Sequence, residues 1–206
     1  MRLLFSARIW IHIGSSLERV IVGLVIASVF GILLGIIMTQ FRFIMFVISP
    51  VIDVMRSVAG LAIYPLIILF LGLESAPKIF LVFWGAWPPI VLNTIHAITQ
   101  VDRVLIEAAE IDGATRFQSL RHIIFPLSSQ TIITGVRIGA GVGWISVVAS
   151  EMLSGNNGLG YFILTQSQIF HYPELFAGIL LVSVFGLTTH ILLAGFQLMI
   201  ERRLYK

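Results

Sequence analysis

Residues 107–126 read EAAEIDGATRFQSLRHIIFP, the longest polar interval in an otherwise apolar chain. Glu107, Glu110, Asp112, Arg116 and Arg121 all fall inside it. The stretch predicts two short helices around a glycine. Asp102 is placed to cap the first helix, and Gly113 stands where a helix C-terminal glycine belongs. Thr115, with Gln118 three residues on, is a capping-box pattern for the second. Pro126 then opens the next apolar run. Ala108, Ala109 and Ala114 leave a low-profile surface around the turn, flanked by charge. Such a bend between two apolar spans suits docking into a groove on another protein. The bland alternative is a solvated, charged connection.

The composition around this stretch fixes the class. Of 206 residues, 58% are hydrophobic and 11% charged, and the mean hydropathy is +1.01. Soluble domains carry about a quarter charged residues, so the chain is expected to be an all-α, polytopic integral membrane protein. Residues 1–206 leave no room for a sizeable soluble domain, and one transmembrane domain is expected. There are no cysteines, which removes disulfides, thiol catalysis and cysteine-based metal sites. The net charge of +3 is not a nucleic-acid signal, because the basic residues sit at span ends. No short apolar core with a small-residue cleavage site starts the chain, so no cleavable signal peptide is expected. His12, His96, His122, His171 and His190 share no metal spacing, so neither a metal nor another cofactor is expected.

About five spans follow from the apolar runs. Residues 1–19 mix apolar residues with Arg2, Arg8, Glu18 and Arg19 and predict an amphipathic helix at the interface. Ile21–Gln40 is a first span of about 20 residues, enough to cross the hydrocarbon. In it Gly23, Ala27, Gly31 and Gly35 recur every fourth residue, a stripe that lets a neighbouring helix approach closely. Phe43–Leu71 predicts a helix broken near Ala59-Gly60. Lys78–Thr99 is the third span, where Pro88-Pro89 is expected to kink or break the helix. Leu127–Val148 is the fourth, with a second small stripe at Gly135, Gly139 and Gly143. Leu175–Ile200 is the fifth.

Charge sets the expected topology. With residues 101–125 in the cytoplasm, alternation puts Arg42 and the tail with Arg202, Arg203 and Lys206 on the same side as Arg103, Arg116 and Arg121. The opposite loops hold Lys78 alone. The positive-inside rule is satisfied, with the N-terminus outside and only Arg2, Arg8 and Arg19 straining it.

The polar stretch also carries a family pattern. Glu107-Ala108-Ala109, three residues, Gly113, nine residues and Ile123-Ile124-Phe125-Pro126 resemble the EAA signature of ABC-importer permeases, with Phe125 where leucine is usual. Ser16 to Val20, Tyr64-Pro65-Leu66, Phe70-Leu71-Gly72, Pro88-Pro89-Ile90, Asn93-Thr94, Trp144 to Met152 and Gly158-Leu159-Gly160 extend the match. They are similar to the nitrate/sulfonate/taurine branch of that family, from about Ser16 onward. Ala59 stands where relatives often carry proline.

The resemblance implies a type I importer-like permease fold lacking the usual first span, multi-pass in a bacterial inner membrane. It implies a cytoplasmic coupling helix that docks on an ABC ATPase, with Glu107, Ala108, Ala109, Asp112, Gly113 and Ala114 as the contact. It further implies two ATPase copies, a second permease subunit forming a homodimer, and a periplasmic or lipid-anchored substrate-binding protein, all in membrane lipid. The cargo implied is a small anion of the nitrate, sulfonate or taurine type. The chain itself has no phosphate-binding glycine loop, so ATP chemistry falls to a partner.

Polar groups at span depth mark the expected translocation path: Asn93, Thr94, Arg137, Trp144 and Ser146. Arg137 either faces that path or pairs with Glu151 or a carbonyl. Glu151 is expected to cap the outer end of its helix, and Asp53 with Arg56 to form a structural ion pair. Dimerisation is expected to use glycine-lined faces of the later spans. An intramembrane enzyme or a passive channel are the alternatives. The enzyme would need a nucleophile and base, or a metal, at span depth, and the sequence has no G-x-S-x-G, no H-E-x-x-H and no cysteine.

Overall fold

The computed structural model describes residues 7–204. Helix α1 spans Ala7–Gln40, α2 Arg42–Ser57, α3 Gly60–Leu71 and α4 Ala76–Thr99. The polar stretch folds as α5 (Arg103–Ile111) and α6 (Arg116–Ser119), and a π-helical turn at Leu120–Ile124 leads into α7 (Phe125–Ser154). A short α8 (Leu159–Gln168) and the long α9 (Tyr172–Leu204) complete the chain. Among the described residues four helices are long and apolar enough to cross a membrane, and a fifth span arises if the bent pair α2–α3 is counted as one.

Helix α4 is the centre of the packing, with α1 on one side and α7 on the other. Glycines make both contacts close. A β-carbon at Gly23 would lie 2.7 Å from the Val82 side chain, and one at Gly35 2.7 Å from Thr94. On the other side, a β-carbon at Gly135 would lie 2.6 Å from Asn93, and one at Gly139 3.0 Å from the Ala86 carbonyl oxygen. Ala27, Ala86, Ile90, Val91 and Ala140 fill the core between them. Both glycine stripes are therefore used inside one chain. The Gly135, Gly139 and Gly143 stripe, expected to serve dimerisation, is occupied by α4, whereas a β-carbon at Gly141, Gly186 or Gly195 would meet nothing within 4 Å.

The same register fixes direction. Gly23, Gly31 and Gly35 meet Val82, Ile90 and Thr94 in ascending order, so α1 and α4 run parallel. Gly143, Gly139 and Gly135 meet Val82, Ile90 and Asn93, so α7 runs the other way. The start of α1 and the α5–α6 segment consequently lie at opposite ends of the bundle, as the charge pattern requires.

Two expectations change. Residues 7–19 are the first part of the 34-residue α1 and not a separate interfacial helix; residues 1–6 lie outside the described residues. Ile9, Ile13, Ser16 and Arg19 are buried there, so this part of the helix packs inside the fold. Secondly, α4 continues through Pro88 and Pro89 without a break. The break falls instead between α2 and α3, which meet at 97°. Val58 and Ala59 adopt extended backbone there, close to the Ala59-Gly60 position read from the sequence.

Candidate functional site

The α5–α6 segment is built almost wholly from local bonds. Asp102 Oδ1 accepts from the Val104 amide at 3.0 Å and starts α5. Gly113 ends it with φ +85°. The Ala114 amide reaches back to the Ala109 carbonyl at 2.9 Å, the six-to-one bond of a Schellman turn. Thr115 and Gln118 close the capping box: the Thr115 amide donates to Gln118 Oε1 at 2.8 Å, and the Gln118 amide to Thr115 Oγ1 at 3.4 Å. The π-helical turn then joins α6 to α7, so Phe117–Ser154 runs as one rod.

This segment leaves apolar surface bare. Ile111 is 86% exposed and Phe117 68%, with Val104 and Leu105 also exposed. A hollow opens beside the turn, lined by Asp112, Gly113, Ala114, Gln118, Ser119 and His122 among others. Glu107, Ala108, Asp112 and Gly113 are exposed, while Ala109 and Ala114 are half-buried. Exposed apolar residues rimmed by polar ones mark an interaction surface more often than a solvated loop.

The opposite end holds a buried polar clasp. Glu151 accepts from Arg19 Nη1 at 2.7 Å, from Ser16 Oγ at 2.8 Å and from the Gly160 amide at 2.9 Å. Arg19 also donates to the Asn157 carbonyl at 3.1 Å and to the Asn157 side chain. Ser16 Oγ in turn accepts from the Leu159 amide at 2.8 Å. Gly158 has φ +112°, and a β-carbon on it would lie 2.2 Å from the Glu151 carboxyl carbon. The clasp ties α1, α7 and the start of α8 together. Glu151 does not cap the end of α7, the role expected from the sequence; it accepts a first-turn amide of α8 and is the centre of a satisfied ion pair.

The five expected pathway residues do not converge. Thr94 is fully buried against Gly35 and bonds the Ile90 carbonyl at 2.8 Å. Asn93 bonds the Pro89 carbonyl at 2.8 Å and packs on Gly135. Trp144 donates to Thr189 Oγ1 at 3.2 Å and stacks on Phe185. Arg137 does not pair with Glu151; the carbonyl it meets belongs to a side-chain amide. It donates to Gln197 Oε1 at 2.9 Å and lies 2.7 Å from His190 Nε2, both on α9. Ser146 lines a cavity of about 430 Å³ between α3, α4 and α7. Asp53 and Arg56 stand 3.9 Å apart with both side chains more than half exposed, a contact at the outer limit of an ion pair.

Sequence reasoning missed the Arg19–Glu151 pair and the cavity. An arginine in an apolar helix with Ser16 one turn before it was the available signal for the first. Nothing local marked its partner 132 residues away.

Residues 27–206 match the family described as binding-protein-dependent transport system inner membrane component. The chain is 31% identical over 93% of its length to a taurine transport system permease protein of Escherichia coli, of which it covers 70%. It is 34% identical over 86% of its length to a nitrate import permease protein of Synechocystis, of which it covers 64%. The chain thus spans about two thirds of the length of these relatives. In fold it resembles a chain of the MetNI methionine ABC transporter in an inward-facing conformation. The TM-score is 0.76 at 16% identity, over 90% of this chain and 93% of that one.

Proposed function

The chain belongs to the family of binding-protein-dependent transport system inner membrane components, and from that premise we propose that residues 107–114 couple it to an ABC ATPase. Membership makes the chain a membrane-embedded transport component, not an enzyme. In the proposed assembly two copies of this chain form the path, two ATPase subunits dock on their α5–α6 segments, and a binding protein delivers cargo at the clasp end. The proposed cargo is a small solute with an anionic group, of the nitrate, sulfonate or taurine type; two of the relatives are named for taurine and nitrate.

The observation that carries this reading is the coincidence of motif and surface. The EAA spacing falls on the one turn that leaves Ile111 and Phe117 uncovered. A solvated connection has no reason to expose these side chains, whereas a partner's groove covers them. The two short helices are held by their own caps, so the docking shape exists before the partner arrives.

The chain has no cysteine, so a single cysteine introduced as Ala114→Cys is the sole thiol. In the assembled transporter it is expected to crosslink to a cysteine on the facing ATPase surface, and the yield is read by gel. An assembled, active complex that yields no crosslink at Ala114 and at Ile111 alike sinks the proposal.

A further inference from the structure

Helix α2 has three faces. Ile44, Ile48, Ile52 and Met55 recur at helical spacing and pack on the core between α1 and α4. Phe43, Val47, Val51 and Val54 form an exposed apolar face, suited to lipid. The third face carries Arg42, Ser49 and Arg56 seven residues apart, with Phe46 and Asp53 beside them. Seven residues are close to two helical turns, so these side chains run in one line along the helix. Met45, Phe46, Ser49, Pro50 and Asp53 also line a hollow of about 660 Å³ along it.

That line reaches the middle of the bundle. Arg56 lines the same cavity as Trp84, Pro88 and Pro89, and Pro88 stands near the midpoint of α4. Charged side chains at such depth face a bundle interior or a water-filled space, not lipid. Yet the Asp53 side chain is 70% exposed and that of Arg56 55%, and among the described residues their one ion-pair contact is to each other, at 3.9 Å. This chain alone leaves the line uncovered.

A cover has to set a base against Asp53 and an acid against Arg56 at nearly the same height. The head group of an anionic lipid lies at the bilayer surface and brings no base for Asp53. A second copy of this chain, inserted in the same direction, supplies both. Across a two-fold axis along the bundle each residue keeps its height, and every contact is reciprocal. Asp53 then meets Arg56 of the second copy, and Arg56 meets Asp53 of the second copy. The axial offset is about 4.5 Å from the helical rise, within the reach of an arginine side chain. Ser49, central in the line, meets its own counterpart.

We infer that the Arg42–Ser49–Asp53–Arg56 line of α2 is the face on which a second copy of this chain docks, held by two reciprocal Asp53–Arg56 pairs. The inference rests on the transport reading above and names the surface by which its two copies meet. That surface belongs to the second span, while the Gly135, Gly139 and Gly143 stripe is spent on α4.

The test is Förster transfer between differently labelled copies of the full chain in liposomes, diluted with lipid. The wild type is expected to pair. Asp53→Arg makes the line wholly basic and Arg56→Asp makes it wholly acidic. Each variant alone is expected to self-associate about tenfold more weakly or worse, because like charges then meet. Mixed, the two variants are expected to pair with each other about as tightly as the wild type. Ser49→Cys, the sole thiol in a chain without cysteine, leaves the charges intact and is expected to form a disulfide between copies on oxidation. The inference is overturned by wild-type association in both single variants, by a mixture that pairs no better than either alone, or by paired Ser49→Cys copies that give no crosslink where Ile138→Cys copies do. Association needs no ATPase, so its failure is separate from failure of the Ala114 crosslink, which tests the transport reading alone.

Discussion

The clasp at one end of the bundle and the α5–α6 segment at the other are both rich in charge, yet they are built in opposite ways. At the clasp Ser16, Arg19 and Glu151 are buried and answered from elsewhere in the chain, with bonds from α1 to α7 and to the half-buried Asn157. At α5–α6 the bonds span five residues or fewer, and the apolar side chains face outward. The first region has no unmet demand and therefore serves the fold. The second is complete in shape but incomplete in burial, and therefore points to a partner. Charge density alone does not separate the two; the location of the answering group does.

The largest effect should come from breaking the clasp. Glu151→Ala leaves the Arg19 guanidinium buried without its counter-charge, which costs about 3–5 kcal/mol. The midpoint of thermal unfolding in detergent is expected to fall sharply, while Arg19→Met with Glu151→Leu together should recover most of the loss. Equal unfolding midpoints for wild type and Glu151→Ala would make the clasp a surface feature after all.

Next comes overpacking between α4 and α7. Gly139→Leu drives a side chain into the Ala86 carbonyl and Ile90, at a cost of about 1–3 kcal/mol. The expected readout is loss of stability in the isolated chain. A variant that is stable as a single chain but fails only in assembly would return Gly139 to a dimer interface.

The coupling end should respond differently. Gly113→Val places a β-branched residue at φ +85°, which costs about 1 kcal/mol or more and is confined to the turn. The spans should insert and unfold nearly as before, yet ATP hydrolysis stimulated by loaded binding protein should be lost. Normal stimulation in this variant would remove the distinction between the two ends.

The smallest structural effect is expected from Ile111→Ser. An exposed site away from any packing changes stability within about 0.5 kcal/mol. Affinity for the ATPase subunit should nevertheless drop, as measured by co-purification at rising salt. Unchanged co-purification would show that the bare apolar surface lies outside the docking face.

The sequence was most readable where the determinants are local. Asp102, Gly113, Thr115 and Gln118 act within a few residues of themselves, and each was placed correctly. The break near Ala59-Gly60 was also local. The glycine stripes announced close approach but not between which helices, because spacing along one helix does not name its neighbour. The clasp and the pathway residues depend on pairings across the fold. Thr94 and Trp144 were read as lining because they are polar, yet both spend that polarity inside the bundle, Thr94 on its own helix and Trp144 on α9. Pro88-Pro89 did not interrupt α4, since α1 and α7 grip the helix along its length.

The uninterrupted rod from Phe117 to Ser154 has a mechanical consequence. Its 38 residues make a strut about 57 Å long, with the coupling segment at one end and Glu151 near the other. Pivoted at the inner end, a tilt of about 10° sweeps the outer end through about 10 Å over that length. The clasp fastens α1 and the start of α8 to that outer end, so any such sweep has to take both with it.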